Sequence, residues 1–204
     1  YTPRKTHSNY NLSFYGGTGF TSMKLDMRLG INPSLNFDRN VDLINRLLSY
    51  SKTFSPRLSF RLQKSKDKKY DISLENTFGY SSNKTTQGNV SSHYSTNTVT
   101  LNTTFYYKKV WSLTSDYEFN YRQKISSFDR DLNTHILNGR LQRTFKNDEF
   151  TAYFTVRDIF NQNIGVDRNY YGNTYTEITN DRLKRYFLLG FTWNFKNKNA
   201  TPSK

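Results

Sequence analysis

The feature that most limits what this chain can become is an alternation of apolar and polar side chains with a period of two. In SMKLDMRLGI, Met23, Leu25, Met27, Leu29 and Ile31 are apolar, while Lys24, Asp26, Arg28 and Gly30 intervene. The pattern returns at Phe54, Leu58, Phe60 and Leu62, and again at Tyr70, Ile72, Leu74, Phe78 and Tyr80. It continues through Val99, Leu101, Phe105 and Tyr107, then Trp111, Leu113, Tyr117, Phe119 and Tyr121. Leu137, Leu141 and Phe145 carry a weaker version, Phe150, Ala152, Phe154 and Val156 a clearer one. The last is Phe187, Leu189, Phe191, Trp193 and Phe195. Successive side chains of a strand point to opposite faces, so this period means strands with one apolar and one polar face. No segment offers a helical stripe. The expectation is an all-β, antiparallel protein.

Strand length decides what the apolar face meets. Sandwich strands run about 5–6 residues, whereas strands that cross a bilayer need about 9–11. The alternating segments here exceed the sandwich norm, and their polar faces carry Ser, Thr, Asn and charges of both signs, suited to a wet interior. A closed barrel is the sheet that satisfies every backbone hydrogen bond in lipid. Apolar-out, polar-in alternation with aromatic residues near the segment ends predicts a transmembrane β-barrel of the bacterial outer membrane. Leu25, Leu29, Leu58, Phe60, Leu74, Leu113, Phe119, Phe154, Phe187, Leu189 and Phe191 would then face outer-membrane lipid. Composition agrees, since 34% hydrophobic residues are too few for a large core, yet 17% aromatic residues are too many for a disordered chain. No run approaches the length of a membrane helix, and the absence of Cys leaves no disulfide or thiolate metal site.

Nine strands are predicted, over 8–17, 19–31, 46–63, 69–82, 93–108, 110–123, 131–146, 149–157 and 183–195. The connections between them alternate. Short turns fall at 17–18, 64–69, 108–109 and 146–148, and long loops at 32–45, 83–92, 124–131 and 158–182. Outer-membrane barrels have short periplasmic turns and long extracellular loops. Residues 1–195 therefore form the barrel wall, and 196–204 a periplasmic tail. The short turns are rich in lysine and flanked by rings. Lys68, Lys69, Tyr70, Tyr107, Lys108, Lys109 and Trp111 are expected at the periplasmic interface, with rings at headgroup depth and ammonium groups in water.

Four stretches carry a resemblance. RYFLLGFTWNF (185–195), the preceding VRDIFNQN (156–163), and KKYDISLENTFGY (68–80) with SDYEFNYRQK (115–124) resemble the outer-membrane β-barrel family of Bacteroidetes TonB-dependent receptors. The resemblance implies a barrel of about 22 strands filled by an N-terminal plug, of which this chain is the C-terminal part. It implies uptake of a nutrient, siderophore or oligomer, with TonB-type energy coupling through an N-terminal part not in this chain. Gly190, Trp193 and Phe195 match the signal by which the barrel assembly machinery recognises a last strand, although nine residues follow Phe195 here. Ligand contacts would come from the long loops, where Tyr170, Tyr171 and Tyr175 stand. The same loops could instead hold a surface lipoprotein or another complex subunit, which makes a scaffold of a secretion or assembly complex the alternative. The chain opens at Tyr1 without an apolar leader, and is expected to be a mature or truncated piece.

Other classes find less support. His7, His93 and His135 are far apart, with no metal-ligand spacing, so neither catalysis, metal nor cofactor is expected. A net charge of +14 with many rings is also what a single-strand-binding β-platform would show. Here the cations gather in turns and the rings keep register with aliphatics, so nucleic acid is not the expected partner.

Overall fold

The computed structural model describes residues 9–44, 46–86, 91–124, 133–146, 149–163, 165–171 and 174–195. Among them there is no helix, and twelve strands make two antiparallel sheets. The large sheet runs β1 (Tyr10–Tyr15), β3 (Met27–Ile44), β4 (Leu47–Lys66), β5 (Tyr70–Thr85), β6 (Ser91–Tyr107), β7 (Trp111–Arg122), β8 (Thr134–Phe145), β9 (Phe150–Arg157) and β12 (Tyr186–Trp193). The short β2 (Thr18–Ser22) also pairs with β3. Strands β10 (Val166–Tyr171) and β11 (Thr174–Thr179) form a separate hairpin. Strands β3 to β9 of the large sheet pair in sequence order; β1 pairs with β3 past β2, and β9 pairs with β12 past that hairpin. The sheet is open: β1 and β12 are its two edges and do not pair with one another.

The first two strands depart from expectation. No turn forms at Gly17–Thr18. Tyr15 faces Ser34 and Thr18 faces Ile31, so β1 and β2 keep one register along β3 and are two pieces of a single strand. The gap at Gly16–Gly17 lies opposite Asn32 and Pro33, and Pro33 has no N–H to give the ladder. The chain reverses instead at Met23–Asp26, where Asp26 takes a φ of 48°. Leu25 therefore lies in a turn, not on a strand. The region 32–45, predicted as a long extracellular loop, is mostly strand, since β3 runs on to Ile44 and pairs residue by residue with β4. The alternation of the two ends survives, because the reversal at 23–26 replaces the one predicted at 17–18.

The other predicted strands are found with shifted ends. Residues 87–90 and 125–131, inside two predicted loops, lie outside the described residues, as do 132 at the start of a predicted strand, 147–148 of a predicted turn and the tail 196–204. The predicted loop 158–182 holds the β10–β11 hairpin.

Candidate functional site

Residues opposite one another in an antiparallel ladder share a face, so the register sorts every strand position. One row runs Phe20, Leu29, Leu62, Leu74, Leu101, Tyr117, Leu137. Another runs Tyr70, Phe105, Leu113, Leu141, Phe154, Leu189. Ile31, Phe60, Asn76, Val99, Phe119 and His135 form a third on the same face, and Pro33, Leu58 and Phe78 stand above it. We call this the outer face. Every residue expected to meet lipid lies on it except Leu25, which the turn removes.

Among the described residues nothing covers this face. No large side chain is fully buried among the described residues, and Phe60, Phe154, Phe187 and Leu189 are 41%, 41%, 61% and 85% exposed. An apolar surface of this extent on a water-soluble monomer would be out of proportion to the few hundred Å² such proteins show. Two pairs of polar residues in its middle satisfy each other. Asn97 Nδ2 donates to Asn76 Oδ1 at 3.0 Å, and Tyr117 Oη and His135 Nδ1 are 2.8 Å apart, with the His135 ring stacked 4.6 Å from Phe119. Paired polar groups are what a hydrocarbon environment demands, because an unpaired one there has no water to turn to.

The inner face is the complement. Asn32, Ser59, Thr77, Thr98, Asn120 and Thr134 make one row; Arg28, Gln63, Ser73, Asn102, Asp116 and Asn138 make another. Ser59 and Thr77 hydroxyls are 2.8 Å apart, Thr98 donates to Asn120 at 3.2 Å, and Arg61 Nε and Nη2 both reach Glu75 Oε2, at 3.1 and 2.7 Å. Every Asp and Glu in the strands of the large sheet is on this face. The charged side chains of the outer face are cations alone, at two levels: Arg39, Lys52 and Lys84 toward one end, with Val41, Leu43, Tyr50 and Leu48 beyond them, and Lys64, Lys66 and Arg143 toward the other.

At the turn end, rings and cations interleave as the sequence predicts. Tyr107 is opposite Trp111, and Trp111 opposite Arg143, whose guanidinium lies 5.0 Å from the Trp111 ring and 4.6 Å from Phe145. Lys108 Nζ is 5.2 Å from Tyr107, and Lys146 Nζ 5.2 Å from Phe150. Lys68, Lys108 and Lys109 sit in the turns themselves with φ of 53°, 50° and 60°, and Lys69 N donates to Lys66 O at 3.0 Å. Phe150 stacks between Phe191 and Trp193, at 5.7 and 5.5 Å, and Phe195 packs on Trp193 at 4.1 Å. Gly190 has a different task, on the inner face. A Cβ there would fall 2.0 Å from Tyr153 Cζ, so the Tyr153 ring occupies the space and Arg140 lies 4.0 Å over it. Tyr170 faces Tyr175 and Tyr171 faces Thr174 across the β10–β11 hairpin; their backbone register alone is described.

The turn after β9 falls in the VRDIFNQN stretch that carries the resemblance, but the residues alone did not show what it does. Asp158 is 3% exposed, with a φ of 50°, and its two carboxylate oxygens accept from Gln162 N at 2.9 Å and Asn163 N at 3.0 Å. Asn138 Oδ1 accepts from Asp158 N, Gln162 Oε1 accepts from His135 N, and Asn161 Oδ1 accepts from Arg185 N. The DIFNQ segment thus ties β8, the end of β9 and the start of β12 together. Its signal was present: a run of Asp, Asn and Gln at a strand end is the chemistry of side chains that bond nearby backbone. Among the described residues no group of His, Cys, Asp and Glu is placed to hold a metal ion.

The sequence profile of the family described as "Outer membrane protein beta-barrel family" matches residues 9–193. No curated protein and no solved structure matches the chain.

Proposed function

The chain belongs to the outer membrane protein beta-barrel family and its place is the bacterial outer membrane; from that premise we propose that it is the lipid-embedded wall of a TonB-dependent-receptor-like transporter. Its task would be uptake of a nutrient, siderophore or oligomer through a plugged lumen. The observation that carries this reading is the open sheet. Nine strand positions with two unpaired edges and an inner face polar across its width suit one sector of a larger barrel. Small single-chain bacterial barrels close on an even number. The resemblance of the last two segments to TonB-dependent receptors supplies the direction of transport and the coupling through an upstream plug. The Lys-rich turns would lie in the periplasm, and the 158–185 region outside the cell. Gly190, Trp193 and Phe195 would present the last strand to the barrel assembly machinery.

A second reading keeps the barrel and removes transport. Ile178 and Leu183 in the outer region are 45% and 75% exposed, which favours a protein partner there, such as a surface lipoprotein. The two separate in one experiment. The full-length protein is deleted, and uptake of iron chelates, cobalamin and glycan oligomers is followed in the outer-membrane-intact strain with and without the inner-membrane energy source. Loss of one energy-dependent uptake supports transport. Unchanged uptake of all three classes, with a stoichiometric partner retained on the purified barrel, overturns it in favour of the scaffold.

A further inference from the structure

The outer face is free of carboxylates from β1 to β12, yet three cations stand side by side on it at the end away from the lysine turns. Tyr10 is opposite Arg39, Arg39 opposite Lys52, Lys52 opposite Lys84, and Lys84 opposite Ser91. Like charges directly opposite on neighbouring strands repel, because their Cβ atoms are only about 5 Å apart. No ion pair relieves them among the described residues, and Arg39 Nε has no hydrogen-bond partner there. Arg39 is held instead by the Tyr50 ring, 5.0 Å from its guanidinium carbon. Directly below stand Phe37 and Phe54, their rings 4.8 Å apart.

Depth identifies the missing counter-charge. On β4 the outward residues between Lys52 and Lys64 are Phe54, Pro56, Leu58, Phe60 and Leu62. From Lys52 to Lys64 is about 40 Å of strand at ~3.3 Å per residue, and about 30 Å of height for a strand tilted ~40°. An outer-membrane apolar band is about 25 Å tall. The two cation levels therefore bracket one hydrocarbon layer, and the Arg39–Lys52–Lys84 level falls at the headgroups of the opposite leaflet. We propose that these three residues form a binding row for the phosphate groups of the phosphorylated glycolipid of the outer leaflet. The planar guanidinium of Arg39 suits two-pronged contact with a phosphate, and the flanking ammonium groups add point charges. The proposal rests on the orientation given above, with the lysine turns in the periplasm.

The test uses the full-length protein purified in detergent and native mass spectrometry. Lipopolysaccharide of the rough type, phosphatidylglycerol and inorganic phosphate are titrated separately. Three proteins are compared: the natural one, R39Q/K52Q/K84Q and K64Q/K66Q. Each cation near an anionic surface accounts for about a fivefold change in partition, so the triple variant is expected to bind lipopolysaccharide about a hundredfold more weakly. K64Q/K66Q should bind it as the natural protein does. Heat-modifiable gel mobility shows independently that each variant compared is a folded barrel. Equal lipopolysaccharide binding by the natural protein and the triple variant overturns the proposal. So does a triple variant impaired only toward phosphatidylglycerol, which would put the row in the inner leaflet, or inorganic phosphate displacing the lipid at millimolar concentration, which would make it an ion site.

Discussion

The two halves of the sheet hold themselves together differently. Strands β3 to β6 run 18, 20, 16 and 17 residues, pair along nearly their whole length and reach well past the apolar band. Strands β8, β9 and β12 run 12, 8 and 8. In the long half, stability is spread over many backbone bonds and cross-strand pairs, each worth a few tenths to one kcal/mol. In the short half the ladder is barely long enough to cross, and single side chains finish the work. Asp158 joins three strands through its own atoms and those of its turn, and Tyr153 fills the space that Gly190 leaves empty. Long strands thus tolerate loss at any one point, while short ones concentrate it.

The comparison breaks most visibly at Asp158. Asp158→Ala leaves Gln162 N and Asn163 N without their acceptor in a buried turn, and hydrogen bonds to a charged group are the costly ones to lose. The expected destabilisation is about 3 kcal/mol, read as a lower urea midpoint of the detergent-folded barrel, or as absence of the folded band. An unchanged midpoint would mean that the short half is held by its ladder after all. Gly190→Val is next, at about 2 kcal/mol, because its side chain drives into the Tyr153 ring. Tyr153→Ala in the same chain should restore much of the loss; without that rescue, close packing is not why glycine stands there. The smallest effect belongs to the long half. Arg61→Ala removes the Arg61–Glu75 pair, whose side chains are 51% and 39% exposed, and should cost under about 1 kcal/mol. A larger value would show that the long half also leans on single contacts.

Much of the sheet was legible because period two is a property of side chains alone. It marked seven of the strands from β4 to β12 and sorted Leu58, Phe60, Leu113 and Phe154 onto one face before any pairing was known, but it missed the β10–β11 hairpin and misplaced the first reversal. It failed where alternation does not stop at a turn. Met23, Leu25 and Met27 keep the beat through a reversal that contains neither Gly nor Pro, while Gly16, Gly17 and Gly19 advertise one that does not occur. Pro33 and the polar residues after it imitate a loop, and only the gap opposite shows how β3 tolerates a missing donor. The Asp158 turn was hidden for another reason. Its partners, Asn138, His135 and Arg185, are distant in sequence, so the motif can be noticed in the string but its function as a tie cannot. The cation row is of the same kind. Arg39, Lys52 and Lys84 become neighbours only through register.

The interrupted first strand has a mechanical consequence. An edge strand that pairs without a break peels as one unit, and all its bonds must yield together. Here the edge divides at Gly16–Gly17 into segments of six and five residues, each hydrogen-bonded to its own stretch of β3. Such a seam unzips in two short steps with a pause between them, whereas β12, keyed to β9 by Gly190 and Tyr153, resists until its whole length lets go. Amide hydrogen exchange should therefore ripple inward from the β1 side long before it touches the β12 side, giving the wall one edge that opens readily and one that stays latched.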